Sequence, residues 1–182
     1  MKIVNKSFFC PKWPHAKILT FESIKIVSMA ALKTGDKATL FEATDTDGKP
    51  LRLADFKGSR VILYFYPKDD TPGCTAEACN LRDNYHDLLK KGFRIIGVSA
   101  DNEASHKKFI SKYVLPFPLI PDKDKKILKA YGAWGKKKLY GKEYEGILRM
   151  TFVISEKGII EKIFTKVDTK NHTEQILKEM NP

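Results

Sequence analysis

The sequence predicts an α/β fold in which a mixed central β-sheet carries helices on both faces and an N-terminal β-hairpin precedes the sheet. Two continuous apolar runs, VILYFY (61–66) and FRIIGVSA (93–100), are rich in β-branched and aromatic residues, the pattern of strands covered on both faces. Between them Ala78, Leu81, Tyr85, Leu88 and Leu89 recur at spacings of three and four, one apolar face of a helix that stops at Gly92. The third observation is a late hairpin followed by a helix that closes the chain.

Taken in order, residues 1–28 show no clean helical or alternating period and hold five Lys against one acidic residue. They are expected to be an extension outside the domain, which then runs from 29 to 182; an organellar leader is the alternative, although the segment has no Arg. Asp45-Thr-Asp-Gly48 is a turn signal between Thr39–Thr44 and Leu51–Leu53, hence the first hairpin. The strand at 61–66, the helix and the strand at 93–100 make a βαβ unit with a right-handed crossover. Asn102–Tyr113 reads as a second helix with Phe109, Ile110 and Tyr113 on its apolar side, and Lys123–Tyr131 as a third. Met150–Ile154 and Ile159–Phe164 flank the turn Ser155-Glu-Lys-Gly158, and Thr173–Met180 is the closing helix. Lys136-Lys-Lys138 reads as a solvated loop and Trp134 as a loop aromatic. A βαβ unit followed by ββα is the order of a thioredoxin-like sandwich.

Composition removes several function classes. A chain of 182 residues, 42% hydrophobic, suits one domain with a sizeable core. The net charge of +11 comes from scattered lysines with no interleaved aromatics, which describes a solvated basic surface and not a nucleic-acid site. No apolar run approaches the roughly 20 residues of a membrane span, and Glu22, Ser23 and Lys25 interrupt Ile18–Met29, so a secretory core is not expected either. Three cysteines, Cys10, Cys74 and Cys79, are too few and too odd a number for a secreted disulfide scaffold, so the expected setting is a reducing cytoplasm. His15, His86, His106 and His172 are isolated in sequence, and neither CxxC nor HExxH occurs; no metal or cofactor is expected.

The informative stretch is PKDDTPGC (67–74), where the first strand gives way to the helix. Thr71 suits the N-cap, and Pro72 suits the first helical position, where a missing N–H is harmless and a fixed φ helps. Gly73 and Cys74 then fall in the first turn, whose N–H groups lack intrahelical partners and where the helix dipole is positive. Both features favour thiolate over thiol. Gly73 leaves the approach to the sulfur open, and the Thr71 hydroxyl is placed to donate to the thiolate or to an oxygen bound there. The competing reading is a buried structural cysteine, but burying a sulfur requires none of Thr71, Pro72 and Gly73.

PxxxTxxC, standing here as Pro67, Thr71 and Cys74, resembles the active-site signature of the peroxiredoxins. The longer string TPGCTAEACNLRD (71–83), with YFYPKDD before it and YGAWGKK (131–137) after it, is similar to the bacterioferritin comigratory protein or peroxiredoxin Q subfamily; Ala38-Thr39 departs from the usual Ala-Pro. The resemblance implies a thiol peroxidase that reduces hydrogen peroxide and alkyl hydroperoxides, with Cys74 as the peroxidatic cysteine. It also implies a catalytic Arg149 in GILRMTF, Glu77 orienting that arginine, and Pro67 shielding the pocket. Cys79 matches the resolving cysteine of many members, which forms a disulfide with the peroxidatic one that thioredoxin or a similar dithiol reduces. A monomer is the expected state.

Helix geometry bears on the implied disulfide. Five residues of helix separate two positions by about 7.5 Å along the axis and about 140° around it, whereas a disulfide needs Cα atoms within about 7 Å. Cys79 can therefore reach Cys74 only if the helix unwinds over roughly Thr71–Leu81; otherwise Cys79 is a packed helix residue and the cycle uses one cysteine. Two other readings stay open. A disulfide reductase lacks its CxxC, because Thr71 occupies the first position; a non-catalytic redox sensor would use the same two thiols without turnover.

Overall fold

The computed structural model describes residues 31–139 and 141–180; the reading of residues 1–28, and of Cys10 within them, lies outside the described residues. In chain order the elements are β1 (Glu42–Thr44), β2 (Pro50–Arg52), a short 3-10 turn (Leu53–Phe56), β3 (Arg60–Phe65), α1 (Pro72–Asp83), α2 (Tyr85–Lys90), β4 (Phe93–Ser99), α3 (Glu103–Tyr113), β5 (Leu119–Pro121), α4 (Lys126–Ala130), β6 (Trp134–Leu139), β7 (Lys142–Ile147), β8 (Met150–Ile154), β9 (Ile160–Phe164) and α5 (His172–Met180).

The central sheet has the order β5-β4-β3-β8-β9. β3 pairs parallel with β4 and antiparallel with β8, so the mixed sheet expected from βαβ plus ββα forms around it. Along β3 the side chains alternate: Val61, Leu63 and Phe65 join one core with Ile96, Phe152, Ile127 and Leu128, while Ile62 and Tyr64 join another with Ala78, Leu81, Phe109 and Ile176. One face thus carries α1, α2, α3 and α5, the other α4 and the two peripheral hairpins. Burial on both faces is why the strand reads as an unbroken apolar run. The early hairpin forms at the expected turn, where the Asp45 carboxylate accepts from the N–H groups of Asp47 and Lys49 at 2.9 Å each.

Three expectations are corrected. The helix read as continuous to Gly92 is broken at Asn84, whose side-chain Nδ2 donates to the Asn80 carbonyl at 2.9 Å and so competes for the acceptor of the ladder bond, which the Asn84 backbone N–H makes at 3.3 Å. The lysine loop is a strand: Lys136 and Lys138 lie opposite Glu145 and Glu143 in the β6–β7 hairpin, so charges of opposite sign pair across it. Trp134 opens that strand, donating Nε1–H to Glu145 at 3.3 Å beneath the Lys125 ammonium. The third helix begins at Lys126 and not Lys123, because the Asp122 carboxylate accepts from the N–H groups of Lys126 and Leu128 and fixes the first turn there. β5, a three-residue edge strand, has no periodic signal of its own. Among the described residues no helix is long and apolar enough to cross a membrane.

Candidate active site

The site begins where β3 ends. Pro67, half-buried, leads into a tight loop in which Asp70 adopts a left-handed conformation with φ 54°. Bonds from α3, with one from Tyr66, hold this loop. Asp70 accepts from Lys112 Nζ at 2.7 Å and from the Tyr113 hydroxyl. The Asp69 carboxylate, buried, accepts from Tyr66 at 2.8 Å and Ser105 at 2.7 Å and is 2.8 Å from His106 Nδ1. Burial alone would raise the Asp69 carboxyl, but the bonds from His106, Ser105 and Tyr66 together hold it below the ordinary carboxylate range.

Thr71 takes the N-cap position with extended backbone and Pro72 follows inside the helix, as read from the sequence. Its side chain does not cap the helix: Oγ1 donates to the Lys68 carbonyl at 3.0 Å, which engages its hydrogen with the loop and not with the sulfur. The first turn, which holds Cys74, is thereby left without a capping side chain on its N–H groups. Gly73 borders the Arg149 guanidinium; a Cβ there would lie 3.5 Å from Nη2, an ordinary contact, so the glycine keeps space open without relieving a clash.

Cys74 is 1% exposed. Arg149, immediately before β8, donates Nη2–H to its sulfur at 3.1 Å and Nη1–H to Glu77 Oε2. One turn of α1 therefore presents sulfur and carboxylate to a single guanidinium, 72 residues away from Glu77 in sequence. Glu77 is fully buried, and burial pushes its carboxyl up to about 7 against the opposing pull of Arg149. Tyr64 lies in the same field; burial, then the charge of Glu77, moves its hydroxyl well above the ordinary phenol range.

Two residues that look isolated in sequence join the site in space. His106 supports the loop through Asp69, and His172 of α5 lies 3.9 Å from Glu77 Oε1 and 2.9 Å from Thr151 Oγ1. No local signal marks either, since His106 reaches Asp69 from 37 residues away and His172 meets Thr151 and Glu77 from another element. Cys79 is half-buried further along the same unbroken α1, and both cysteines are free thiols. The helix thus holds the two apart, as its rise of about 1.5 Å per residue requires.

Comparison with known proteins fits this geometry. The AhpC/TSA family matches residues 34–163. The chain is 44% identical to Peroxiredoxin Bcp of Escherichia coli over 149 residues, covering 82% of this chain and 96% of that protein. Among solved structures, the bacterioferritin comigratory protein of Xanthomonas campestris, described for its alkyl peroxide reduction activity, superposes with a TM-score of 0.73 at 32% identity, over 79% of this chain and 96% of that one. Peroxidoxin BcpB of Mycobacterium tuberculosis superposes with a TM-score of 0.72 at 30% identity, over 82% and 96%. The match spans the sheet, the strand–helix junction and Arg149, and by it this chain belongs to the AhpC/TSA family of peroxiredoxins, in the Bcp/peroxiredoxin Q subfamily.

Proposed function

We propose that the chain is a thiol-dependent peroxidase in which Cys74 reduces hydrogen peroxide and alkyl hydroperoxides, Cys79 resolves the product, and a thioredoxin-like dithiol recycles the enzyme. The observation that carries this reading is the buried Cys74 sulfur in the first turn of α1 with the Arg149 guanidinium 3.1 Å away. The thiolate attacks the terminal peroxide oxygen, an S–O bond forms as the O–O bond breaks, and the departing alkoxide or hydroxide takes a proton. The first-turn N–H groups and Arg149 are the donors available to the charge that develops on the oxygens. In this reading Glu77 orients Arg149, Pro67 and the loop bonds of Asp69 and Asp70 shape the entrance, and Gly73 keeps it open. Thr71, bound to the Lys68 carbonyl in this state, retains oxygen lone pairs for a substrate hydroxyl.

Resolution needs a change of shape. Cys79 must displace water from the Cys74 sulfenic acid, and the intact helix places it too far away, so α1 unwinds over roughly Thr71–Leu81 before the disulfide forms. The subsequent reduction restores the helix and with it the activated sulfur. The reading places the enzyme in antioxidant defence within a reducing cytoplasm, acting as a monomer.

Purified protein supplied with a thioredoxin system is expected to consume peroxide, and Cys74→Ser to abolish this; turnover retained in that variant would refute the assignment. After one equivalent of peroxide, intact mass is expected to fall by two hydrogens, the Cys74–Cys79 disulfide. Gain of one oxygen with no disulfide would instead assign a one-cysteine cycle.

A further inference from the structure

The ring of His172 is buried at 0% exposure, yet each nitrogen has a defined partner. Nδ1 lies 3.0 Å from Gln175 Oε1. That amide cannot be turned over, because its Oε1 also accepts from the backbone N–H of Asp168 at 3.0 Å and its Nε2 donates to the Lys166 carbonyl at 2.9 Å. Gln175 therefore presents an acceptor, and Nδ1 must carry the imidazole proton. Burial pushes His172 down to about 4 against the bond to Gln175, so at neutral pH the ring is uncharged and Nε2 holds a lone pair, which accepts from the Thr151 hydroxyl at 2.9 Å.

Nε2 also lies near the active-site helix. Glu77 Oε1 is 3.9 Å from it, and among the described residues this buried oxygen has no hydrogen-bond partner, although the other oxygen is bound by Arg149. A carboxylate oxygen set against a lone pair gains nothing, whereas a protonated one can close the 3.9 Å gap and compete with the Thr151 hydroxyl for the single Nε2 lone pair. The remaining groups around Glu77 are Cys74 on its own helix, Arg149 ahead of β8 and Tyr64 on β3, whose hydroxyl burial keeps protonated; around His172 they are Thr151, Gln175, Arg149 and Asp168.

We propose that His172 is a positioning residue for the peroxide-reducing site: its uncharged Nε2, held in the acceptor role by Gln175 and Thr151, makes Glu77 a proton-carrying switch on Arg149. Ionised Glu77 seats the guanidinium so that its second N–H group reaches Cys74. Protonated Glu77 turns its acid hydrogen toward His172 Nε2, and the charge that holds Arg149 in place is gone. The proposal rests on the reading of Cys74 and Arg149 given above and adds a pH dependence separate from ionisation of the thiol itself.

The test is the rate constant for Cys74 oxidation by hydrogen peroxide in single-turnover stopped flow, divided at each pH by the thiolate fraction read from its ultraviolet absorbance. In the wild-type protein this thiolate-normalised constant is expected to fall several-fold as pH drops through about 7, where Glu77 takes its proton. Glu77→Gln, permanently uncharged, is expected to abolish the step and leave the low-pH value throughout. His172→Gln can donate an amide N–H to Glu77 and is expected to move the midpoint down by about one pH unit. Thr151→Val releases the Nε2 lone pair for Glu77 and is expected to move it up, so the two variants separate a tuning role from a loss of packing. A step that persists in Glu77→Gln overturns the proposal, as do midpoints that stay fixed while both His172→Gln and Thr151→Val merely scale the rate. Peroxide reduction that survives Cys74→Ser overturns the peroxidase reading as well, whereas a Cys74-dependent reaction with no normalised step overturns only the switch.

Discussion

Arg149 makes two different bonds from one planar group, Nη2 to the Cys74 sulfur and Nη1 to Glu77. A lysine carries the same charge but only a single ammonium, which cannot repeat that fork. Arg149→Lys is therefore expected to slow oxidation of Cys74 by peroxide roughly 10²-fold, the scale of losing one aligned donor, measured as the single-turnover rate constant. His172 allows a second prediction, on stability. Its folded value is about 4 against an ordinary 6.5, so the unfolded chain takes up a proton that the folded protein refuses. The stabilisation is fully present above about pH 6.5 and is lost as pH falls through about 4, an effect on the order of 3 kcal/mol. Denaturant unfolding at about pH 7 and about pH 4.5 checks it: His172→Gln, which does not titrate, is expected to lose less stability between the two than the wild-type protein.

At the scale of elements, the strand–helix junction was legible in PKDDTPGC because the cues for it are local: a fixed φ at Pro72, a cap residue at Thr71 and an apolar run that stops at Tyr66. The break at Asn84 and the β6–β7 hairpin were not, because one depends on a side chain competing for a backbone carbonyl and the other on which charges face each other across a register. Gly97 shows how closely β3 and β4 pack. A Cβ at that position would come within 2.5 Å of Leu119 Cδ2 and 2.7 Å of the Tyr64 ring, both in the buried interior beneath α1 and α3. Gly97→Ala is expected to destabilise the domain by about 1–3 kcal/mol through overpacking, seen as a lower midpoint in denaturant unfolding.

At the scale of the whole molecule, the described residues cover the sheet on one face with α1, α2, α3 and α5 and on the other with α4 and the hairpins, and we propose that residues 1–28 lie outside this domain. A chain beginning at Met29 is therefore expected to fold and to consume peroxide at the full-length rate, checked by thermal unfolding and by turnover; a loss of either would give the leading segment a part in the fold. The fold class, the order of the main strands and helices, and the place of Cys74 in the first turn of a helix can be read along the chain, since alternation, helical spacing and capping act between near neighbours. The tertiary structure alone brings His106, isolated along the chain, against the Asp69 loop and His172 to within 3.9 Å of the acid beside that cysteine. The reason is physical: a buried carboxylate acquires its partners from whatever elements the sheet brings against it, and no spacing along the chain records that choice.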